Sequence, residues 1–224
     1  MTRLEQEIKI LKEELFQMWI LVNSQMEKAR LSLINYDKNI AKDIRANEKR
    51  VDAYEVKLDM DCERIILLQS PVAVDLRFIV AILKMNYNLE RIGDYANQIA
   101  KIVESQDGKF HDKVLAELKV PEIFFSAQTM LAEGIEAFQA DNKDKMLGLF
   151  EKDEKLDKLH ADATISAIAF GKKNPEWLDE ILKVLTSVRM LERAGDHLLN
   201  IVEEYIFYLD AKIIKHSKLQ PGQL

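Results

Sequence analysis

Apolar residues at Leu4, Ile8, Leu11, Leu15, Met18, Val22, Met26, Ala29 and Leu33 recur in uninterrupted steps of three and four. That spacing returns each of them to one face of an α-helix. About 30 residues of helix would be about 45 Å long. A second helix is expected from near Asp37 to about Gln69. Ser70-Pro71 then reads as an N-cap followed by proline at the first helical position, opening a third helix to about Gln106. Asp107-Gly108 closes it, glycine being suited to a left-handed C-terminal cap.

A connector with His111 and Pro121 precedes a shorter fourth helix holding Ile123, Met130, Leu131, Ile135 and Phe138. Asp141 or Asn142 is expected to cap a fifth. Asn174-Pro175 opens a sixth through Ile181, Val184, Val188, Leu191, Leu198, Val202, Tyr205 and Leu209. The halves also match in sequence. Leu89-Glu90-Arg91-Ile92-Gly93-Asp94 returns as Leu191-Glu192-Arg193-Ala194-Gly195-Asp196, with Pro71 and Pro175 at matching places before them. Glu48-Lys49-Arg50-Val51-Asp52 matches Asp153-Glu154-Lys155-Leu156-Asp157. The chain therefore reads as all-α: two tandem three-helix bundles related by internal duplication, over residues 1–109 and 110–214, with 215–224 as a loose tail.

Composition narrows this further. A chain of this length would carry about 27 Gly plus Pro at ordinary usage; this one has 7 Gly and 4 Pro in 224 residues, too few to punctuate a many-stranded sheet. The single Cys62 excludes an intramolecular disulfide and fits a reducing compartment. The N-terminus shows no secretory pattern and the longest apolar run, Phe78 to Leu83, is too short to span a bilayer, so a cytoplasmic protein without membrane insertion is expected. A net charge of −6 argues against nucleic acid as a primary ligand.

The acidic residues are arranged more specifically than that total. With Glu48 set at zero on a helical wheel, Asp52, Glu55 and Asp59 all fall within about 40° of it. Val51, Tyr54, Leu58 and Ile65 mark the core side near −90°. On the next helix Glu90, Asp94 and Asn97 form a similar stripe bordering the buried face. Packed antiparallel, the two helices would bring these borders together along one groove. The second half repeats the construction with Asp153, Asp157 and His160 facing Glu192, Asp196 and Asn200. Like charges four apart cost a few tenths of a kcal/mol, and Gly93 and Gly195 inside helices cost about 1 kcal/mol each against Ala. Local rules broken the same way twice point to a functional site.

Oxygen ligands with almost no His or Cys suit hard ions: Mg²⁺, Mn²⁺, Ca²⁺ or ferric iron. The expectation is one multi-carboxylate metal site in each half. The alternative is an ion-pair network in which Arg91, Arg193, Lys49 and Lys155 neutralise the stripes.

The doubled L-E-R-x-G-D motif, the E/D-x-x-x-D on the preceding helix, and Asp75-Leu76-Arg77 early in helix three resemble the PhoU family of bacterial regulators of phosphate uptake and phosphate signalling. The resemblance covers about residues 3 to 212. It implies metal ions on the E/D-x-x-x-D faces, homodimers, and contact with the ATPase of the phosphate ABC transporter and with a phosphate-sensing histidine kinase. Such a protein is a negative regulator without turnover of its own. His197 and Asn200 follow the family pattern after the second motif; the first half departs from it with Tyr95 and Gln98, its asparagine shifted to Asn97. The second half has no Asp-Leu-Arg, with Trp177-Leu178-Asp179 nearby.

Two other readings stay open. A di-iron carboxylate oxidoreductase needs two Glu-x-x-His pairs, and only Asp157 to His160 approaches that spacing. A metal-independent helical adaptor would use the bundles alone. Arg77, Arg91 and Arg193 are candidates for contact with a partner or with phosphate, against ordinary intrahelical pairing. Cys62 reads as structural, His111 and His216 as solvent-exposed, and Trp19 and Trp177 as core or interface anchors.

Overall fold

The computed structural model describes residues 2–211 and is helical throughout. Helix α1 spans Arg3–Asn35, α2 Lys38–Gln69 and α3 Ala73–Ser105. The short α4, Asp112–Glu117, lies in the connector. Then follow α5 (Val120–Gln139), α6 (Lys143–Leu147), α7 (Leu149–Lys173), a 3-10 turn at Pro175–Trp177, and α8 (Leu178–Asp210). The expected tail, with His216, lies outside the described residues.

The helix ends follow local chemistry. Thr2 and Glu5 form a reciprocal capping box at the start of α1: the Glu5 N–H donates to Thr2 Oγ1 at 3.2 Å and the Thr2 N–H to Glu5 Oε2 at 2.7 Å. Asp37 caps α2 by accepting from the N–H groups of Asn39 and Ile40.

Ser70 departs from expectation. It ends α2 in the left-handed conformation (φ 46°) instead of capping α3, which starts after an extended Val72 with no side-chain cap. Pro71 has no N–H with which to extend the α2 ladder, so the chain turns over. At the far end α3 stops at Ser105 with an extended Gln106, and Gly108 (φ 91°) makes the turn two residues later. Tyr36 fastens that turn, its hydroxyl donating to the Gln106 carbonyl at 2.7 Å and accepting the Gly108 N–H at 3.0 Å. In the second half, Asn142 caps only the brief α6, accepting from the Lys145 N–H, and Gly148 separates that turn from α7.

Helices α1–α3 form one antiparallel bundle and α5, α7 and α8 a second. The two lie side by side, α3 against α8 and α1 against α5. The α3–α8 pairing is antiparallel: Phe78 meets Tyr208 edge-on with ring centroids 4.9 Å apart, Lys84 pairs with Glu204 at 3.0 Å, and Lys183 reaches Gln106 at 3.0 Å. One apolar core runs through both bundles, with Trp19 of α1 fully buried beside Phe138 of α5. Gly134 lets α5 approach closely: a Cβ there would stand 2.8 Å from the Trp19 ring.

Candidate metal grooves and the bundle junction

Each acidic stripe lies where two helices of one bundle approach unusually closely, and the in-helix glycines are the reason. A Cβ on Gly93 would stand 3.1 Å from Val51 Cγ1, and one on Gly195 would stand 2.6 Å from Asp153 Oδ1 and 2.8 Å from Leu156 Cδ2. Glycine at these positions lets α3 approach α2, and α8 approach α7, with carboxylates along the seam.

In the first groove, Glu48 is buried, and apart from the Asp94 carboxyl beside it, with which it can share a proton, neither of its carboxylate oxygens meets a hydrogen-bond donor. Burial, with Asp94, Asp52 and Glu90 close by, pushes its carboxyl up to about 8. Glu90 is pushed up to about 7, by burial first and then by the charge of Asp94. Glu55 is raised by burial and by Asp59 and Asp52. Asn97, buried on the same face of α3, also has an unpartnered Oδ1. Arg91 closes an ion pair on Asp94 at 2.8 Å, and Asn86 Nδ2 donates to Asp59 at 2.9 Å.

The second groove repeats this with different rims. Asp153 is buried, its Oδ1 unpartnered, and burial together with Asp157 and Asp196 pushes it up to about 7. Glu192 and Asp196 are also raised, by burial first and then by neighbouring carboxylates. His160 Nδ1 stands 3.9 Å from Glu192 Oε1. An open groove here is lined by His160, Thr164, Leu185, Arg189, Glu192, Arg193 and Asp196.

The structure thus brings Glu48, Asp52, Glu55, Glu90 and Asp94 into one electrostatic cluster and Asp153, Asp157, His160, Glu192 and Asp196 into another. Of the four cations considered as neutralisers, only Arg91 makes an ion pair with a stripe carboxylate among the described residues. Lys49, Lys155 and Arg193 make none there. The donor set suits a hard cation: anionic oxygens, partly buried, short of positive charge. Among the described residues, however, no three His, Cys, Asp or Glu side chains stand in a chelating arrangement. A cation would have to gather them by side-chain rotation.

Other candidates fall elsewhere. Asn200 turns its amide across the bundle junction, donating to Asn88 Oδ1 at 3.3 Å. Arg77 sits near the start of α3 with its Nε buried and unpartnered, more than three turns before Glu90. Cys62 is buried, and its thiol is pushed up to about 12, chiefly by burial. His111 is exposed, as expected, but it is held in place: it stacks on Trp177 with centroids 4.7 Å apart, and both its backbone N–H and Nδ1 meet the buried Glu180.

A polar knot at the α3–α8 junction has no signal within either helix alone. Asn88 Oδ1 accepts from His197 Nδ1 at 2.8 Å, while Tyr95 Oη lies 3.2 Å from His197 Nε2. With Nδ1 donating to the amide oxygen, the neutral ring leaves Nε2 to accept from the tyrosine. Burial and the nearby Arg91 and Arg193 lower the His197 pKa, favouring that neutral form.

The doubled construction matches a known domain. The model of the PhoU domain matches residues 15–103 and again residues 120–205, one in each bundle. The chain belongs to the PhoU family. A phosphate-specific transport system accessory protein PhoU homolog of Borreliella burgdorferi is 35% identical over 209 residues, covering 92% of this chain and 94% of that protein. The accessory protein PhoU of Escherichia coli is 27% identical over 210 residues, covering 94% and 86%. The crystal structure of PhoU from Pseudomonas aeruginosa superposes with a TM-score of 0.85 at 27% identity, over 94% of this chain and 100% of that one. That of the phosphate transport system regulatory protein PhoU from Streptococcus pneumoniae has the same fold, with a TM-score of 0.85. Among the described residues, no helix is long and apolar enough to cross a membrane.

Proposed function

We propose that this chain is a non-enzymatic negative regulator attached to a phosphate-specific transport system, holding metal ions in its two acidic grooves. The observation that carries the reading is the pairing of a duplicated PhoU domain with two grooves whose buried carboxylates lack counter-charges. Relatives named as accessory proteins of phosphate-specific transport support the regulatory role.

In the first groove Glu48, Asp52, Glu55, Glu90 and Asp94 would hold Mg²⁺, Mn²⁺, Ca²⁺ or ferric iron; in the second Asp153, Asp157, His160, Glu192 and Asp196 would. The ion supplies charge compensation, locking α2 to α3 and α7 to α8. Rigid helical faces then meet the transporter's ATPase and the phosphate-sensing kinase, in the cytoplasm, from a homodimer. Arg77, near the α2–α3 turn, and Arg193, exposed and without an ion pair among the described residues, are suited to those contacts.

Elemental analysis and Mn²⁺ titration of the wild type and of an Asp94→Ala, Asp196→Ala double variant test the metal. Wild-type protein that binds no di- or trivalent cation overturns it and leaves the metal-independent adaptor. Pull-down at high phosphate tests the partners, and recovery of neither ATPase nor kinase refutes the regulatory assignment. A di-iron oxidase has less support, because the carboxylate interactions stay within each bundle instead of joining across four helices.

A further inference from the structure

At one end of the molecule α3 outlasts the helix that covers it. The stripe that α3 presents to α8 runs back from Tyr95 and Asn88, which meet His197, to Phe78, which meets Tyr208. Val74 lies one turn before Phe78 on that stripe. The helices are antiparallel, so four residues back from Phe78 corresponds to four residues on from Tyr208, position 212. Helix α8 ends at Asp210, however, and the chain turns away at a left-handed Ala211 (φ 54°). Val74 is therefore left half-exposed where Phe78, one turn on, is buried. Around the α2–α3 turn the apolar surface continues: Val72 is 72% exposed, Leu67 79%, and Leu68 is open as well. Single exposed apolar side chains are ordinary, but a contiguous group marks a contact surface.

Position, reach and charge name one occupant. In the sequence Lys212 to Leu219 follow directly on α8, beside this surface, with Ile213, Ile214 and Leu219 as their large apolar side chains. Helices α8 and α2 flank α3 on opposite sides: α3 turns Asn88 and Tyr95 to α8, and Asn86 to Glu55 and Asp59 of α2. Two helix spacings of about 8–10 Å thus separate the end of α8 from Leu67. An extended segment from Ile213 to Leu219 spans about 20 Å. Ile213 and Ile214 can cover Val74 and Val72 while Leu219 reaches Leu67. The segment carries Lys212, Lys215 and Lys218 and no acid. Near the surface stand Asp75 and Glu63, neither in an ion pair among the described residues, and Arg77; Arg64 is committed to Glu7 and Asp61.

We propose that the segment from Lys212 to Leu219 is an intramolecular strap between the two bundles. It leaves α8, crosses the start of α3 and reaches the end of α2, its apolar side chains on Val74, Val72 and Leu67 and its lysines toward Asp75 and Glu63. The strap extends the α3–α8 interface past the point where α8 itself stops. It depends on neither the metal nor the partner contacts proposed above. Any partner that needs this end of the first bundle must displace it.

Two measurements on full-length protein test it. Amide hydrogen exchange over residues 66–78 should be about five-fold or more faster in an Ile213→Ser, Ile214→Ser, Leu219→Ser variant than in the wild type, with exchange in the bundle cores unchanged. Separately, Glu63→Cys and Gln220→Cys place thiols beside Leu67 and Leu219 without removing an apolar contact, and Cys62, being buried, stays out of the reaction. Mild oxidation should close a disulfide within one chain, and adding Ile213→Ser and Ile214→Ser should slow that closure about ten-fold. A segment that merely diffuses near the surface closes the same loop at a rate indifferent to those two side chains. Equal exchange in variant and wild type, or cross-linking that ignores the isoleucines, overturns the strap. Disulfides formed between chains also overturn it, assigning the surface to the segment of a second copy.

Discussion

Replacing Glu48 by Gln tests the electrostatics of the first groove without disturbing its shape. The Glu48 carboxyl is pushed up to about 8 in the fold, while in the unfolded chain it titrates near the ordinary value of about 4.3. Between those values the folded state holds a proton that the unfolded state has released. Stability therefore falls as pH rises, at about 1.4 kcal/mol per pH unit for one such group. From pH 5.5 to 7.5, Glu48 alone should remove about 2 kcal/mol of stability from the metal-free protein. Its amide isostere has no proton to lose. Urea unfolding of both proteins at the two pH values, in EDTA, isolates this term, because Glu90 and Asp153 add to the slope in each and cancel to first order in the comparison. The wild type should lose about 2 kcal/mol more than Glu48→Gln across that interval. Saturating Mn²⁺ should flatten the wild-type slope, the cation replacing the proton as counter-charge. Equal slopes for the two proteins in EDTA would falsify the claim that Glu48 is held protonated by burial and by its acidic neighbours.

The glycines make a sharper prediction than helix propensity alone. Gly195→Ala gains about 1 kcal/mol of propensity but drives a methyl to 2.8 Å from the buried Leu156, and overpacking costs about 1–3 kcal/mol; urea midpoints should show a net loss. Gly93→Ala meets Val51 at 3.1 Å and should be close to neutral in the same assay. Asn88→Ala deprives His197 and Asn200 of their common acceptor and should cost about 1–3 kcal/mol in thermal or urea unfolding. Cys62, buried and with its thiol pushed up to about 12, should react with a thiol reagent such as Ellman's only after denaturation; rapid labelling of native protein would contradict the packing.

The parts of the fold that follow a single-helix period were readable in advance. The α1 spacing, the acidic stripes and the recurring Gly before Asp are each carried along a single helix. What escaped was set between helices or at their ends. Ser70 has the residue type of an N-cap, yet the following proline assigns it to the end of α2. Helix α4 is too brief for periodicity, and Gly148 breaks an otherwise continuous pattern. The His197, Asn88 and Tyr95 knot joins residues over a hundred positions apart. His111 had no sequence neighbour to reveal Trp177 and Glu180. For the grooves, residue types and helix faces were legible; the depth of Glu48 and Asp153, and which arginine is committed, depended on how closely the helices approach.

The antiparallel seating of α3 on α8 also bears on how the molecule is made. Most of the buried face of α3 is covered by its own bundle, but Phe78, Asn88 and Tyr95 complete their contacts only with Tyr208 and His197, far along the chain. Such distant closure is slow compared with forming a local three-helix unit. During synthesis at about 5–20 residues per second, the first bundle has several seconds in which that flank faces water. Its aromatic and amide groups are a temporary adhesive surface, open to chaperones or to another copy's α8. Exchange of α8 between two molecules is thus the misassembly this topology invites, and expression at low temperature or high concentration is where exchanged dimers should accumulate.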